Sequence, residues 1–453
     1  MIASLTVGTV SRVIGSRAMQ RPWMIACVVA CCACGDNGVP PPAAHAPALP
    51  QTSTRVSGVP AWSVIPDGSH ATRSREVMTV TVAAPAGTRV VDAWVADLPP
   101  VRLGAADDGT FIGTLSTAGV APGVQPVVFA ADGAEIAFAG TTFQRSYAYY
   151  VMVSTDWDFS DPGDYSLHIV DSLHANHPIV MTDFVGPYSF TDPAVSDDRR
   201  AFLATWLRAE RDGHGDELGL HIHPYCNFVT DAGLTCITDR STVYAAGDTT
   251  GYTIELDAYP PDQLAVLLDH AADLFAQRGL GHPTVFRAGG WTATLDTMMV
   301  LAAKGYVAES SALNWAHINS WKGVGNGVLY DWNMQHWAPI DDTSQPYDIS
   351  QSDVLSDSAP TLPLLEVPDN GVMMDYVSDK QLEHIFDENW TGGPLATPTT
   401  LMMGFHPSTT LTPAIGSELD RFLTYADGHL ATNDLGPVVY ANLSDVSIAF
   451  SSH

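Results

Sequence analysis

The stretch Tyr149-Tyr150-Val151-Met152-Val153-Ser154-Thr155-Asp156-Trp157-Asp158 decides the fold. Tyr149 to Ser154 is an apolar, β-prone run that predicts a strand, and the run ends in polar residues. From about residue 147 onward strands and helices alternate. A helix is predicted over Tyr165–Ala175 and a strand over Ile179–Thr182. Arg199–Ala209 carries Phe202, Leu203, Trp206 and Leu207 at helical spacing, and Leu218–His223 is again strand-like. Pro261–Gly279 has Pro at its start and Gly at its end, as helices prefer. Val285–Arg287, Tyr306–Ala308, Leu364–Val367, Leu401–Phe405 and Val438–Ala441 complete the predicted strands. Helices near 293–304, 379–389 and 412–427 fall between them. Seven or eight such units in roughly 300 residues predict an α/β fold, an irregular (β/α)7–8 barrel over residues 147–453.

Outward from this region the composition changes. Residues 61–146 read as all-β: Val77–Val82, Val90–Val95 and Thr110–Leu115 alternate, and Asp107-Asp108-Gly109, Ala121-Pro122-Gly123 and Asp132-Gly133 punctuate them. A small Ig-like β-sandwich is expected there, as a spacer or a glycan-binding module. Residues 35–60 are a Pro/Ala-rich linker. Residues 1–34 read as a signal segment. Met19-Gln20-Arg21-Pro22 is a short basic start, with Met19 a candidate first residue, and Trp23–Ala33 is apolar but too short to span a bilayer. Val28-Val29-Ala30-Cys31 resembles a bacterial lipobox, and Ala33-Cys34-Gly35-Asp36 is a second candidate. The expectation is an exported chain. Either Cys31 or Cys34 carries lipid and tethers it to a membrane of a bacterial envelope, or an ordinary signal releases it to the periplasm or exterior.

Of six Cys, four lie in the signal segment and Cys226 and Cys236 remain. In an exported chain they predict one disulfide closing a loop; the alternative is a pair of zinc ligands, but no Cys-x-x-Cys accompanies them. The formal charge is -30 and Lys occurs only at 304, 322 and 380. So acidic a chain repels phosphate backbones, which excludes nucleic acid as a partner.

Polar residues collect at the predicted strand ends: Asp156 and Asp158, His221 and His223, Arg287, and His406. A sheet curled into a barrel brings such ends to one rim. His221 and His223 stand two apart on a strand, so both rings leave the same face. Two imidazoles and a carboxylate suit a divalent ion with an open position. Taken singly, each has a plainer reading: either Asp can cap a turn, and His occurs in cores.

These residues give the chain its resemblance to the polysaccharide deacetylases, the NodB-like (family 4) carbohydrate esterases built on an irregular (β/α) barrel. Thr155-Asp156-Trp157-Asp158 resembles the first motif and Glu217–Pro224, with His221-Ile222-His223, the second. Phe286-Arg287-Ala288-Gly289 resembles the third and Met403-Gly404-Phe405-His406-Pro407 the last. The resemblance implies Asp156 as general base, with Arg287 holding it ionised and oriented. It implies Asp158, His221 and His223 as ligands of Zn²⁺ or another divalent ion such as Co²⁺, and His406 as general acid. The implied reaction is hydrolysis of an N-acetyl or O-acetyl group on a polysaccharide or oligosaccharide, a carbon–nitrogen bond other than a peptide bond in the first case. Two departures stand out. The ligand His residues are two apart rather than the usual four, with Tyr225 at the fourth place, and a long insert separates Arg287 from His406.

That insert, residues 314–360, carries Trp315, Trp321, Trp332 and Trp337, which either stack on sugar rings or pack a core of their own. Glu309-Ser310-Ser311 is expected as pocket wall. His174, His177, His270, His384 and His429 fall in helical stretches and read as ordinary surface or packing residues. Amidohydrolases also use His-x-His, but on a first strand and with a Lys; Gly-x-Ser-x-Gly is absent, which disfavours a serine esterase. The alternative of another class is a non-catalytic, glycan-binding surface lipoprotein on the same barrel.

Overall fold

A computed structural model describes residues 39–50, 56–72, 76–242, 248–325, 327–408 and 411–451. The signal segment and both lipidation candidates, Cys31 and Cys34, lie outside the described residues. Among the described residues no helix is long and apolar enough to cross a membrane.

The all-β region contains β1 (Val56–Ser57), β2 (Trp62–Val64), β3 (Val77–Ala83), β4 (Val91–Val95), β5 (Val101–Ala105), β6 (Thr110–Ser116), β7 (Gly123–Ala131) and β8 (Ala139–Ser146). They hydrogen-bond in the order β1-β3-β6-β5-β4-β7-β8-β2, antiparallel except for β2 beside β8. Alternation buries Met78, Val80 and Val82 of β3, while Val77 and Thr79 are exposed. The buried set meets Val91, Ala93 and Val95 of β4, Phe129 of β7 and Phe143 of β8 in one core, so the sheet folds over on itself.

Residues 41–453 form one compact unit, and no free linker separates the β region from the α/β region. Only Tyr147 and Ala148 stand between β8 and the next strand. The amides of Ala61 and Trp62 donate to the Asp434 carboxylate at 2.8 and 2.7 Å. The Tyr150 hydroxyl donates to Asp67, and Val64 packs among the inner residues of the second sheet.

The second sheet contains β9 (Tyr149–Asp156), β10 (Met181–Val185), β11 (Glu217–Ile222), β12 (Val285–Ala288), β13 (Ala308–Glu309), β14 (Tyr347–Ser350), β15 (Thr361–Glu366), β16 (Thr399–Phe405) and β17 (Val438–Tyr440). Their order is β14-β15-β13-β12-β11-β10-β9-β16, with β17 also on β9; every ladder but β14–β15 is parallel. The expected α/β architecture of a curled parallel sheet is therefore present. Helices at Asp164–Asn176, Asp197–His214, Pro261–Gln277, Leu295–Ala303, Asp379–Asn389 and Pro413–Asp427 lie close to the predicted ranges. β10 starts two residues later than the apolar run predicts. The reason is that β17 occupies Tyr149–Val151 on that edge of β9, leaving β10 to pair from Val153 onward.

Among the described residues no ladder joins the two ends of this order, β14 and β16, and an irregular segment from Asp369 to Met374 bridges the chain after β13 to β16. On one side Asp369 accepts from the Asn314 amide at 3.2 Å and donates its own amide to Ala312 at 2.9 Å. On the other, Gly371 and Met374 donate to Met402 and Gly404 of β16 at 2.8 and 2.7 Å.

Strand alternation then positions the site. Tyr150 and Met152 of β9, Val285 of β12 and Met402 of β16 share one apolar inner core. Two and four residues further along the same face come Ser154 and Asp156, Arg287, and Gly404 and His406. The lower half of the inner face is thus apolar and the upper half polar.

Candidate active site

Beyond β9 the chain turns tightly, the Asp158 amide donating to the Asp156 carbonyl at 3.0 Å. This turn separates the two carboxylates. Asp156 meets Arg287, whose Nη1 donates to its Oδ1 at 3.0 Å. Asp158 faces the histidines: its Oδ1 lies 3.1 Å from His221 Nε2 and 3.2 Å from His223 Nε2.

The far side of each ring fixes its proton. His221 Nδ1 lies 3.0 Å from the Arg287 carbonyl and His223 Nδ1 lies 2.8 Å from the Tyr252 carbonyl. A carbonyl oxygen only accepts, so both Nδ1 atoms carry hydrogen and both neutral rings turn a bare Nε2 lone pair to Asp158. Three acceptors then face one another with no proton between them. A divalent cation relieves that repulsion, and the donor set of two imidazoles and a carboxylate suits Zn²⁺-type ions. Burial works against the charged form of Asp158, but the charged His406 ring, joined by His223 and His221 whenever no metal is bound and their Nε2 atoms carry protons, outweighs it and holds the carboxyl well below its usual range.

Around the two-residue His spacing, tyrosines fill in the surroundings of Asp158. Tyr252 donates its hydroxyl to Asp158 Oδ2 at 2.7 Å while its carbonyl orients His223. Tyr225, at the place where a four-residue spacing would put histidine, donates to the Asp158 carbonyl at 3.1 Å and stacks on Tyr252. Cys226 and Cys236 form a disulfide just after this point, which removes both from the zinc-ligand reading. Gly289 of the third motif has a steric reason: a Cβ there would sit 2.6 Å from the His223 ring. Gly289→Ala is therefore expected to displace His223 and weaken metal affinity by about 10- to 100-fold, read by competition with a chelating dye.

Arg287 is fully buried and donates four hydrogen bonds. Nη1 also donates to Ser154 Oγ at 3.0 Å, Nε to the Ser310 carbonyl at 2.8 Å and Nη2 to Ser310 Oγ at 2.9 Å. Asp369 Oδ2 lies 3.8 Å away, and the Phe184 ring lies under the guanidinium at 4.6 Å. Glu309-Ser310-Ser311 was expected as pocket wall; instead Ser310 buttresses Arg287 and Ser311 accepts from the Ala288 amide.

His406, at the end of β16, turns Nε2 to within 3.8 Å of Asp158 Oδ2. Its Nδ1 and its amide both donate to Asp375 Oδ2, at 2.9 and 3.0 Å. Burial alone would lower its pKa, but the Asp158 and Asp375 carboxylates outweigh burial and push it up to about 10. The ring is therefore a charged proton donor at neutral pH.

All six sequence-predicted site residues are thus gathered, and Asp156, Asp158, His221, His223 and His406 line one cavity of about 100 Å³. Its upper walls are Tyr252, Trp291, Trp321 and Tyr376. Of the four Trp in the insert only Trp321 reaches it; Trp332 and Trp337 are buried in the core and Trp315 packs against that core. Sequence reading missed Tyr252, Asp369 and Asp375. All three lie in irregular segments, where no strand or helix period marks a direction; only the acidic residue two after Met373 in an apolar stretch, Asp375, offered a faint signal.

No protein-family model matches the chain, and no curated protein matches it. Among solved structures it is similar to a polysaccharide deacetylase from Mycobacterium smegmatis, described as putative, at 14% identity and a TM-score of 0.38, over 66% of this chain and 89% of that one. A family 4 carbohydrate esterase from Streptomyces lividans, in complex with acetate, gives 11% and 0.33 over 66% and 94%. A probable polysaccharide deacetylase from Pseudomonas aeruginosa gives 15% and 0.37 over 63% and 72%. What this chain is similar to in solved structures is thus a set of proteins named as polysaccharide deacetylases and a family 4 carbohydrate esterase.

Proposed function

We propose that this chain is a metal-dependent hydrolase that removes acetyl groups from an N-acetylated or O-acetylated saccharide. One observation carries the reading: three bare acceptors converge beside a carboxylate base and a protonated imidazole, in one cavity. Asp158, His221 and His223 would hold a divalent ion, Zn²⁺ or a relative such as Co²⁺. When bound, such an ion polarises a carbonyl and acidifies water. Arg287 engages Asp156 Oδ1 and leaves Oδ2 to take the proton of the attacking water. His406 gives its Nε2 proton to the departing amine or alkoxide, and Asp375 keeps the ring oriented and charged while it does so. Tyr252, Trp321 and Tyr376 narrow the cavity around the acyl group and supply aromatic faces for a sugar. The basic, apolar and Cys-bearing signal segment supports export, either with lipidation at Cys31 or Cys34 or with release by an ordinary signal.

The test joins metal content to turnover. The body from about residue 60 onward should release acetate from acetylated oligosaccharides. Asp158→Ala and His223→Ala should each lose one metal equivalent by mass spectrometry, together with activity. A wild type that takes up no zinc or cobalt on reloading would sink the hydrolase reading and leave a glycan-binding barrel.

Asp375 gives a prediction of its own. Its carboxylate stabilises the charged His406 ring, so Asp375→Asn lowers the His406 pKa. The alkaline limb of the kcat/KM profile should move to lower pH, by about one unit or more, with the acid limb unchanged. An unmoved alkaline limb would mean that another group is the acid.

A further inference from the structure

On the opposite face of the same sheet, under the helices Asp164–Asn176 and Asp197–His214, lies a second cluster of ionisable side chains. His174 comes from the first helix, Glu210 and His214 from the second, Asp216 from the turn before β11 and Asp183 from β10. His174 was expected to be an ordinary surface or packing residue. Its side chain is buried, with Nε2 at 2.9 Å from Asp216 Oδ2 and 3.6 Å from Glu210 Oε2. The side chains of His174, Glu210 and Asp216 are 1%, 7% and 0% exposed.

Two independent features show what this cluster lacks. The first is partners. Glu210 Oε2, His174 Nδ1 and Asp183 Oδ2 are all buried without a hydrogen-bond partner among the described residues. Native interiors leave only a few such atoms per hundred residues, so three gathered in one cluster stand out. The second is charge. Three carboxylates, Asp183, Glu210 and Asp216, face one buried imidazole and the half-exposed His214 ring stacked on it at 4.1 Å.

We propose that His174, Glu210 and Asp216 form a second divalent-cation site, separate from the catalytic one. Their ligand atoms all lie within 4.8 Å of one another, the same closeness found for Asp158, His221 and His223. One imidazole and two carboxylates suit Zn²⁺, Co²⁺ or Mn²⁺ rather than Ca²⁺. Binding replaces the proton on His174 Nε2, which leaves to solvent, and gives Glu210 Oε2 the partner it lacks. His214 Nε2, 3.9 Å from Glu210 Oε2, becomes a fourth ligand only if its ring rotates out of the stack. The ion would be structural. Asp216 already accepts from the Met181 amide at 2.8 Å, at the foot of β10, and directly precedes the strand that carries His221.

The experiment counts zinc in the full chain after stripping and reloading, read by mass spectrometry. Wild type should hold two equivalents. Glu210→Gln should hold one and keep its acetate release within about twofold, since Glu210 touches nothing in the cavity. Asp158→Asn/His223→Gln should also hold one, without turnover. Equal zinc in wild type and Glu210→Gln overturns the proposal. Should Glu210→Gln fail to fold, the Asp158→Asn/His223→Gln protein decides alone: one equivalent retained upholds the second site, and none overturns it. One equivalent in wild type, lost in Glu210→Gln but kept in Asp158→Asn/His223→Gln, would uphold this site and remove the metal from the catalytic reading instead.

Discussion

Asp156→Asn should slow acetate release by about 10³-fold while leaving the metal content unchanged. Asparagine keeps the shape of the side chain, and its carbonyl oxygen can still accept from Arg287 Nη1. What it cannot do is take a proton. The variant therefore separates the base from the ligand set, which Asp158 heads. Steady-state kinetics beside mass-spectrometric metal analysis would read both. A rate within about tenfold of wild type would show that another group accepts the proton and that Asp156 only orients.

The second large effect concerns stability. Arg287→Met should cost about 3–5 kcal/mol, measured by denaturant unfolding, and should also abolish turnover. The substitution leaves Asp156 and Asp369 buried without their shared cation. It also strands Ser154 Oγ and the Ser310 carbonyl, which lose their donor. Arg287→Lys restores one charge but not the fork, and should recover only part of the loss. The deficit has a pH signature. Burial pushes Asp369 up to about 6 even with the guanidinium present, so without it the carboxyl protonates more readily still. Below that range one stranded charge disappears. The penalty should thus be smaller near about pH 5 than near about pH 8. A penalty independent of pH would mean that lost packing against Phe184 dominates.

Much of the site was legible because strands report direction. A residue at the end of an apolar run points where every second residue before it points, so Asp156, Arg287 and His406 could be assigned to one rim from spacing alone. His221 and His223 followed the same rule. The partners that tune them could not be found that way. Asp369 lies in the gap-filling segment beside β16 and Asp375 just after it, and Tyr252 lies in the loop after the disulfide. Their directions are set by tertiary hydrogen bonds, which leave no period in the sequence. His174 illustrates the converse. Its helix was legible, but its burial depends on a second helix and on β10, so a local reading could leave it only as surface or packing.

The gap-filling segment also bears on the order in which the molecule comes together. β9 must wait for β16, and Tyr149 pairs with Thr399, 250 positions further along the chain, among the most non-local contacts of the sheet. Closing a loop of that length is entropically late. Asp369 opens the segment that makes this closure and Asp375 follows it, so Asp369 reaches Arg287 and Asp375 reaches His406 only when the seam zips. Catalytic competence is then a property of the last cooperative unit to fold and the first to open. The slowest-recovering amides after a refolding pulse should be those of Gly371, Met374 and Gly404, and activity should return with them.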